Sequence, residues 1–181
     1  MVLMLAALHP SLVKKAVLVA SGPFEDRYVP EIQKTRLGRL EAGERAEVTS
    51  LMSVIEGRHA GDREKAFARF GELFSRTDAF DAFDGGKDEV ILDPAIFRSV
   101  WEEAARMRTG GQLLRLAKRV SCPVMALHGD HDPHPASGVR DPLSRVLQDF
   151  RFVLLTHCGH KPWVERRAKD DFFRVLEGEL A

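Results

Sequence analysis

Histidines and aspartates are concentrated in two short stretches of the chain. The first, VMALHGDHDPHP at residues 124–135, begins with apolar residues typical of a buried strand and then breaks into a polar, proline-containing turn. The second, LLTHCGHKP at residues 154–162, follows the same plan. Because the carboxyl ends of adjacent parallel strands meet at one edge of a sheet, an aspartate of the first loop and a histidine of the second are expected to face each other. We predict a carboxylate-to-imidazole distance of about 2.6–3.2 Å.

Metal binding is a second chemistry that these residue types allow. The histidine spacing is interrupted by a glycine and two prolines, so it lacks the regular spacing of a helix-borne site, and no His-Glu-x-x-His run occurs. An Asp–His acid–base pair is therefore favoured, the metal-dependent alternative stays open, and no cofactor is expected. The candidate metal ligands are His128, Asp130, His131, Asp132, His134, His157, Cys158 and His160.

Composition excludes several classes of function. The 181 residues carry 27 basic and 27 acidic side chains, and this balance provides no field that would attract nucleic acid or an anionic membrane. The first apolar run ends at His9-Pro10 after eight residues, which is too short for a membrane span, and no basic residue precedes it. With two cysteines and no disulfide framework, we expect a cytoplasmic protein without a targeting segment.

Apolar periodicity indicates an α/β protein. Residues 1–9 have the pattern of a helix buried on all sides, and residues 16–20 have that of a buried strand. Residues 24–117 are charged and helical by period. The last part of the chain alternates strand and helix, with helices expected at 141–148 and 164–180. We predict a core of residues 1–22 and 118–181 with about three parallel strands, and an inserted helical cap at 23–117.

Three motifs resemble the C-terminal part of an α/β-hydrolase of the proline-iminopeptidase and haloperoxidase-like kind. ALHGDHDPHP resembles the strand end that carries the acid, with Gly129 and Asp132 in the matching positions. LLTHCGHKPWVE resembles the last strand and its histidine loop, with His160 as the histidine. MVLMLAALHPSLVKKAVLVASGPF resembles the helix after the nucleophile, the next strand and the turn into the cap. The resemblance covers the cap only by length and helicity.

The resemblance implies that a Ser-His-Asp triad hydrolyses an ester or an amide bond of a small molecule. Aminopeptidase-like cleavage is one form that this reaction could take. Asp132 would orient His160, and His160 would be the general base. The serine of this family lies in a Gly-x-Ser-x-Gly turn, and no such turn occurs in the sequence. We therefore expect a truncated member of the fold that is inactive alone. A non-catalytic binding protein derived from the fold is the alternative, and a metal-dependent hydrolase is a third.

The first twenty residues predict an interaction surface. Strand 16–20 has no preceding strand in the sequence with which to pair. Unpaired apolar strand edges recruit other strands, and apolar surface left in water is unfavourable by about 25 cal/mol per Å². We expect the chain to form a two-fold dimer through residues 1–20, or to bind there a polypeptide that carries the first strands.

Overall fold

The sheet consists of three parallel strands. The computed structural model describes residues 1–56, 60–83 and 94–180. Within these ranges the strands are β1 (Ala16–Val19), β2 (Val124–Gly129) and β3 (Phe150–Leu155), in the spatial order β1–β2–β3. β1 therefore lies at one edge and β2 in the centre, as the predicted short parallel sheet requires.

Helices make up most of the remaining described chain. Between β1 and β2, the described residues are helical apart from turns and an isolated antiparallel bridge between Ala82 and Glu165. The division into a core and a cap at residues 23–117 remains a prediction. No described helix is both long and apolar enough to cross a membrane. The helices are α1 (Val2–Leu8), α2 (Val29–Gly38), α3 (Ala42–Glu56), α4 (Ala60–Asp78), α5 (Pro94–Thr109), α6 (Gln112–Ala117), α7 (Ser137–Ser144) and α8 (Lys169–Leu180).

The central strand explains the continuous apolar run in the sequence. All six residues of β2 are buried. Successive side chains point to opposite faces of a sheet, so Val124 and Ala126 join the cluster formed with α1, α6 and α7. Met125 and Leu127 join the opposite cluster, which contains Phe172 of α8. Helices thus cover both faces of β2.

Two helices begin at other residues than the sequence indicates. α7 starts at Ser137 rather than at Asp141, although Pro142 is typical of a first helical turn. The proline is tolerated because Gly138, four residues earlier, uses its carbonyl to accept the Phe24 amide at 3.0 Å. The last helix, predicted from residue 164, starts at Lys169, and a 3₁₀ turn, Pro162–Val164, precedes it.

The first helix is buried on one side of the described chain only. Leu3, Ala6 and Ala7 are buried, whereas Leu5 is 46% and Leu8 49% exposed. The apolar pattern that suits a helix buried on all sides thus has cover on one side only within the described residues. Since β1 also lies at the sheet edge, α1 and β1 present an apolar surface on the same part of the molecule.

Candidate active site

The loops that follow β2 and β3 are bonded to each other at the carboxyl edge of the sheet. The Asp130 amide donates to the Leu155 carbonyl at 2.9 Å, and the His131 amide donates to the Cys158 carbonyl at 2.9 Å. In return the Cys158 amide donates to Oδ1 of Asp130 at 3.1 Å. These three bonds hold the Asp132 and His160 loops in one fixed arrangement.

Two glycines allow this close approach of the loops. A Cβ atom on Gly129, the last residue of β2, would lie 2.2 Å from the Cys158 carbonyl oxygen. A Cβ atom on Gly159 would lie 2.1 Å from the Asp78 carbonyl oxygen. Any side chain at either position would push backbone atoms apart, so both glycines are needed for the position of His160.

Asp132 and His160 form a hydrogen-bonded pair. Oδ2 of Asp132 lies 2.8 Å from Nδ1 of His160, within the range that the sequence predicts. The Asp132 side chain is fully buried and that of His160 is 30% exposed. Burial alone would raise the pKa of Asp132, but hydrogen bonds from His134 and His160 outweigh it and hold this pKa well below its usual range. An ionised carboxylate only accepts, so Nδ1–H of His160 donates and Nε2 is left as the acceptor that a general base requires.

His134 is a second imidazole on the same carboxylate. Its Nδ1–H donates to Oδ1 of Asp132 at 2.8 Å, and its amide donates to the same oxygen at 2.9 Å. Its ring stacks on that of His160, with centroids 4.6 Å apart. The sequence identifies His134 only as a candidate metal ligand, because nothing in its spacing shows that it shares the acid.

His128 supports the cluster from β2. Its side chain is buried, and its Nε2–H donates to the His134 carbonyl at 2.8 Å. Burial lowers the pKa of His128, against the opposing attraction of Asp132. Its Nδ1 atom is buried without a hydrogen-bond partner in the described part of the chain. His128 is therefore a neutral donor that fixes the backbone of His134.

The other candidate ligands from the two histidine-rich stretches lie outside the hydrogen-bond network of Asp132. His131 and His157 both contact the ring of Phe80, with centroids 5.3 and 5.2 Å away. Burial raises the pKa of the Cys158 thiol to about 12, which makes this buried cysteine a poor nucleophile. Of the predicted ligand candidates in the described ranges, Asp132, His134 and His160 have ligand atoms within 4.8 Å of one another. The Nδ1–H groups of His134 and His160 both donate to the Asp132 carboxylate. The cluster is therefore a pair of imidazoles hydrogen-bonded to one carboxylate.

Glu165 binds the histidine loop to a distant segment, residues 78–83. Its fully buried carboxylate accepts the amides of Phe80 at 2.9 Å, Asp81 at 2.7 Å and Gly159 at 2.9 Å. The His160 amide donates to the Asp78 carbonyl at 2.8 Å. The 78–83 segment begins at the last residue of α4, so the region before β2 directly supports the loop that carries His160.

A cavity of about 360 Å³ opens beside His160. Phe80 and Phe83 are 39% and 41% exposed there, so part of its lining is apolar. Lys161 contributes a cationic residue to the same lining. The cavity therefore offers room for a small molecule next to the partly exposed imidazole.

Comparisons with known proteins agree with this arrangement of strands, helices and loops. No known family profile matches the sequence. Pimeloyl-[acyl-carrier protein] methyl ester esterase from Nitrosomonas europaea is 30% identical over 79 residues, which are 40% of this chain and 31% of the esterase. Most of that protein therefore lies outside the match.

Solved structures match over nearly the whole chain. VinJ superposes with a TM-score of 0.60 and 14% identity, over 97% of this chain and 60% of its own. Proline iminopeptidase from Mycobacterium smegmatis has a TM-score of 0.54 and 17% identity, over 98% and 60%. The monoacylglycerol lipase of Paleococcus ferrophilus has a TM-score of 0.53 and 16% identity, over 99% and 63%. The chain thus spans about 60% of the length of these structures, and it has the fold of the α/β-hydrolase family.

Proposed function

We propose that this chain carries the acid and the base of a serine-type hydrolase that cleaves an ester or an amide bond. The observation behind this proposal is the 2.8 Å contact between buried Asp132 and partly exposed His160 at the carboxyl edge of the sheet. The names of the similar proteins, an esterase, an iminopeptidase and a lipase, support this class of reaction. Aminopeptidase-like cleavage of a small substrate is one case within it.

In this reaction His160 takes a proton from a nucleophilic hydroxyl through Nε2 while the oxygen attacks the carbonyl carbon. The imidazolium then returns that proton to the leaving alcohol or amine, the C–O or C–N bond breaks, and the acyl group stays on the nucleophile oxygen. His160 next deprotonates a water that attacks this acyl group, and the proton passes to the nucleophile oxygen as the carboxylic acid leaves. Asp132 keeps Nδ1 protonated and stabilises the transient imidazolium. No Gly-x-Ser-x-Gly turn occurs in the sequence. In this proposal the nucleophilic serine therefore comes from a segment outside this sequence.

A first experiment measures hydrolysis of 4-nitrophenyl acetate and butyrate by the chain alone. We expect rates no higher than those of His160→Ala, because the nucleophile and the oxyanion hole contribute the largest part of the rate. Turnover abolished by a serine-directed phosphonate would show that a serine within this sequence acts as the nucleophile.

A second experiment tests the acid–base pair directly. The N-terminal strands and Gly-x-Ser-x-Gly turn of a structural neighbour are fused before Met1, and cooperative unfolding of the fusion is confirmed. We expect ester hydrolysis that falls by about 10²–10⁴-fold in His160→Ala. A folded, active fusion whose rate does not depend on His160 would refute the assignment, as would a folded fusion no more active than the chain alone. Loss of activity on adding chelator would favour the metal-dependent alternative.

A further inference from the structure

The turn DPHP, residues 132–135, fixes two side chains at once. Asp132 precedes Pro133 and His134 precedes Pro135, and a residue before proline is restricted to extended backbone. Pro133 is fully buried. The backbone therefore presents the carboxylate of Asp132 and the imidazole of His134 in a preset relation, which the 2.9 Å bond from the His134 amide to Asp132 completes.

Three N–H groups share the two carboxylate oxygens of Asp132. Oδ1 accepts the amide and Nδ1–H of His134, and Oδ2 accepts Nδ1–H of His160. Each donor to a carboxylate stabilises its charge, and a carboxylate stabilised on one oxygen attracts an imidazolium on the other oxygen less strongly. The hold of Asp132 on His160 therefore depends on His134.

We propose that His134 is a positioning residue for the acid–base pair: its imidazole shares Asp132 with His160, orients the carboxylate, and weakens the attraction of that carboxylate for protonated His160. This role goes beyond the proposed function and rests on it for its catalytic meaning. The stacked ring of His134, 4.6 Å from that of His160, also restricts rotation of the base.

Other charged and titratable groups surround this cluster. Nε2 of His128, on β2, lies 3.6 Å from Oδ2 of Asp132. Arg39, which follows α2, attracts the Asp132 charge, and its Nη1 donates to the Thr77 carbonyl at 2.6 Å. Asp130, His131 and Glu165 lie on the adjoining loops. Because these groups are the same in variants at position 134, a difference between such variants reports on His134.

Two substitutions separate the donor of His134 from its ring. His134→Asn keeps an N–H donor near the Nδ1 position without the ring, and His134→Phe keeps a stacking ring without the donor. We follow the His160 imidazole by ¹H–¹⁵N NMR across pH in the full chain. In His134→Phe the titration midpoint of His160 should rise by about 0.5–1 pH unit, a three- to tenfold gain in proton affinity. In His134→Asn it should stay within about 0.3 unit of the parent.

Equal shifts in the two variants, or no shift in folded His134→Phe, would overturn the proposal. A second measurement needs no variant at position 134. The parent chain should show two imidazole N–H protons shifted far downfield by a carboxylate, and Asp132→Asn should remove both. A single such proton in the parent would also overturn the proposal. The readout does not use hydrolysis, so an inactive fusion with the expected NMR shifts would refute the proposed function alone.

Discussion

Glu165 allows a quantitative test of what holds the histidine loop. Its carboxylate accepts three backbone N–H groups, two on Oε1 from Phe80 and Gly159 and one on Oε2 from Asp81. A hydrogen bond to a charged group contributes about 1.5–3 kcal/mol. A buried N–H group left without an acceptor costs about 1–3 kcal/mol. Because Phe80 and Asp81 are not fully buried, the lower part of the sum over three donors applies.

Two substitutions of Glu165 should therefore differ in a defined way. In Glu165→Gln the amide oxygen can replace Oε1 and keep the bonds from Phe80 and Gly159, while the NH₂ group faces the Asp81 amide. We expect a loss of about 2 kcal/mol in the free energy of unfolding for Glu165→Gln and about 3–5 kcal/mol for Glu165→Ala, which leaves three donors without an acceptor. The assay is urea unfolding followed by tryptophan fluorescence, with amide hydrogen exchange at the three donors.

The matched control is Glu102→Gln on α5, where the glutamate is exposed. A surface change of this kind should stay within about 0.5 kcal/mol of the parent. Equal losses for Glu165→Gln and Glu165→Ala would show that the oxygens do not act separately. Losses below about 0.5 kcal/mol for both would refute the three-bond clamp itself.

Two further predictions concern pH and self-association. Burial lowers the pKa of His128 in the folded chain, so as the pH falls the unfolded chain binds a proton at this residue before the folded chain does. The free energy of unfolding should therefore decrease below about pH 6.5, by at most about 1.4 kcal/mol per pH unit. His128→Gln, which can keep the donor to His134, should reduce this slope between pH 7.5 and 5.5 in urea unfolding, and equal slopes would contradict the prediction. The chain should sediment as a dimer at micromolar concentration and become monomeric in Leu5→Glu/Leu12→Glu but not in the α8 control Phe173→Glu. A monomeric parent would contradict this.

The predicted dimer surface consists of the free edge of β1 and the exposed leucines that precede this strand. The Ala16 amide donates to the carbonyl of Pro123, just before β2, and the Ala20 amide donates to that of Leu127 in β2. The intervening peptide groups of Val17 and Val19 therefore face the open edge of the sheet. Leu5, Leu8 and Leu12 are exposed on the preceding helix and turn. A second copy could pair its own edge strand here and cover these leucines through a two-fold axis. Self-association itself stays a prediction.

Asp132 and His160 were located by two strand-end motifs and by their resemblance to the α/β-hydrolase family. Each follows a strongly apolar strand, and strand ends at one edge of a parallel sheet bring their loops together. The central strand was equally clear, because burial on both faces leaves an unbroken apolar run. The catalytic role of the two residues is a proposal that these positions support.

The first residues of α7 and α8 could not be predicted from the local sequence, because tertiary contacts determine them. Pro142 suggested a helix start, but the Gly138 carbonyl is bonded to Phe24, more than a hundred residues earlier, and this lets the helix begin sooner. Residues before Lys169 have an apolar pattern that suits a helix. The backbone at Glu165 is instead extended, and its carboxylate lies on the 78–83 segment.

The same reasoning explains why the sequence predicted His160 but not the residues that hold its loop in place. The Glu165 bonds to Phe80 and Asp81 join residues 85 and 84 positions apart, respectively, and no periodicity encodes such a contact. The 78–83 segment lies at the end of α4, whose Asp78 carboxylate pairs with Arg36 at 2.5 Å. A displacement of this segment would therefore act on the His160 amide through the Asp78 carbonyl. The position of His160 thus depends on the helical region before β2 as well as on β3, the strand that precedes its loop.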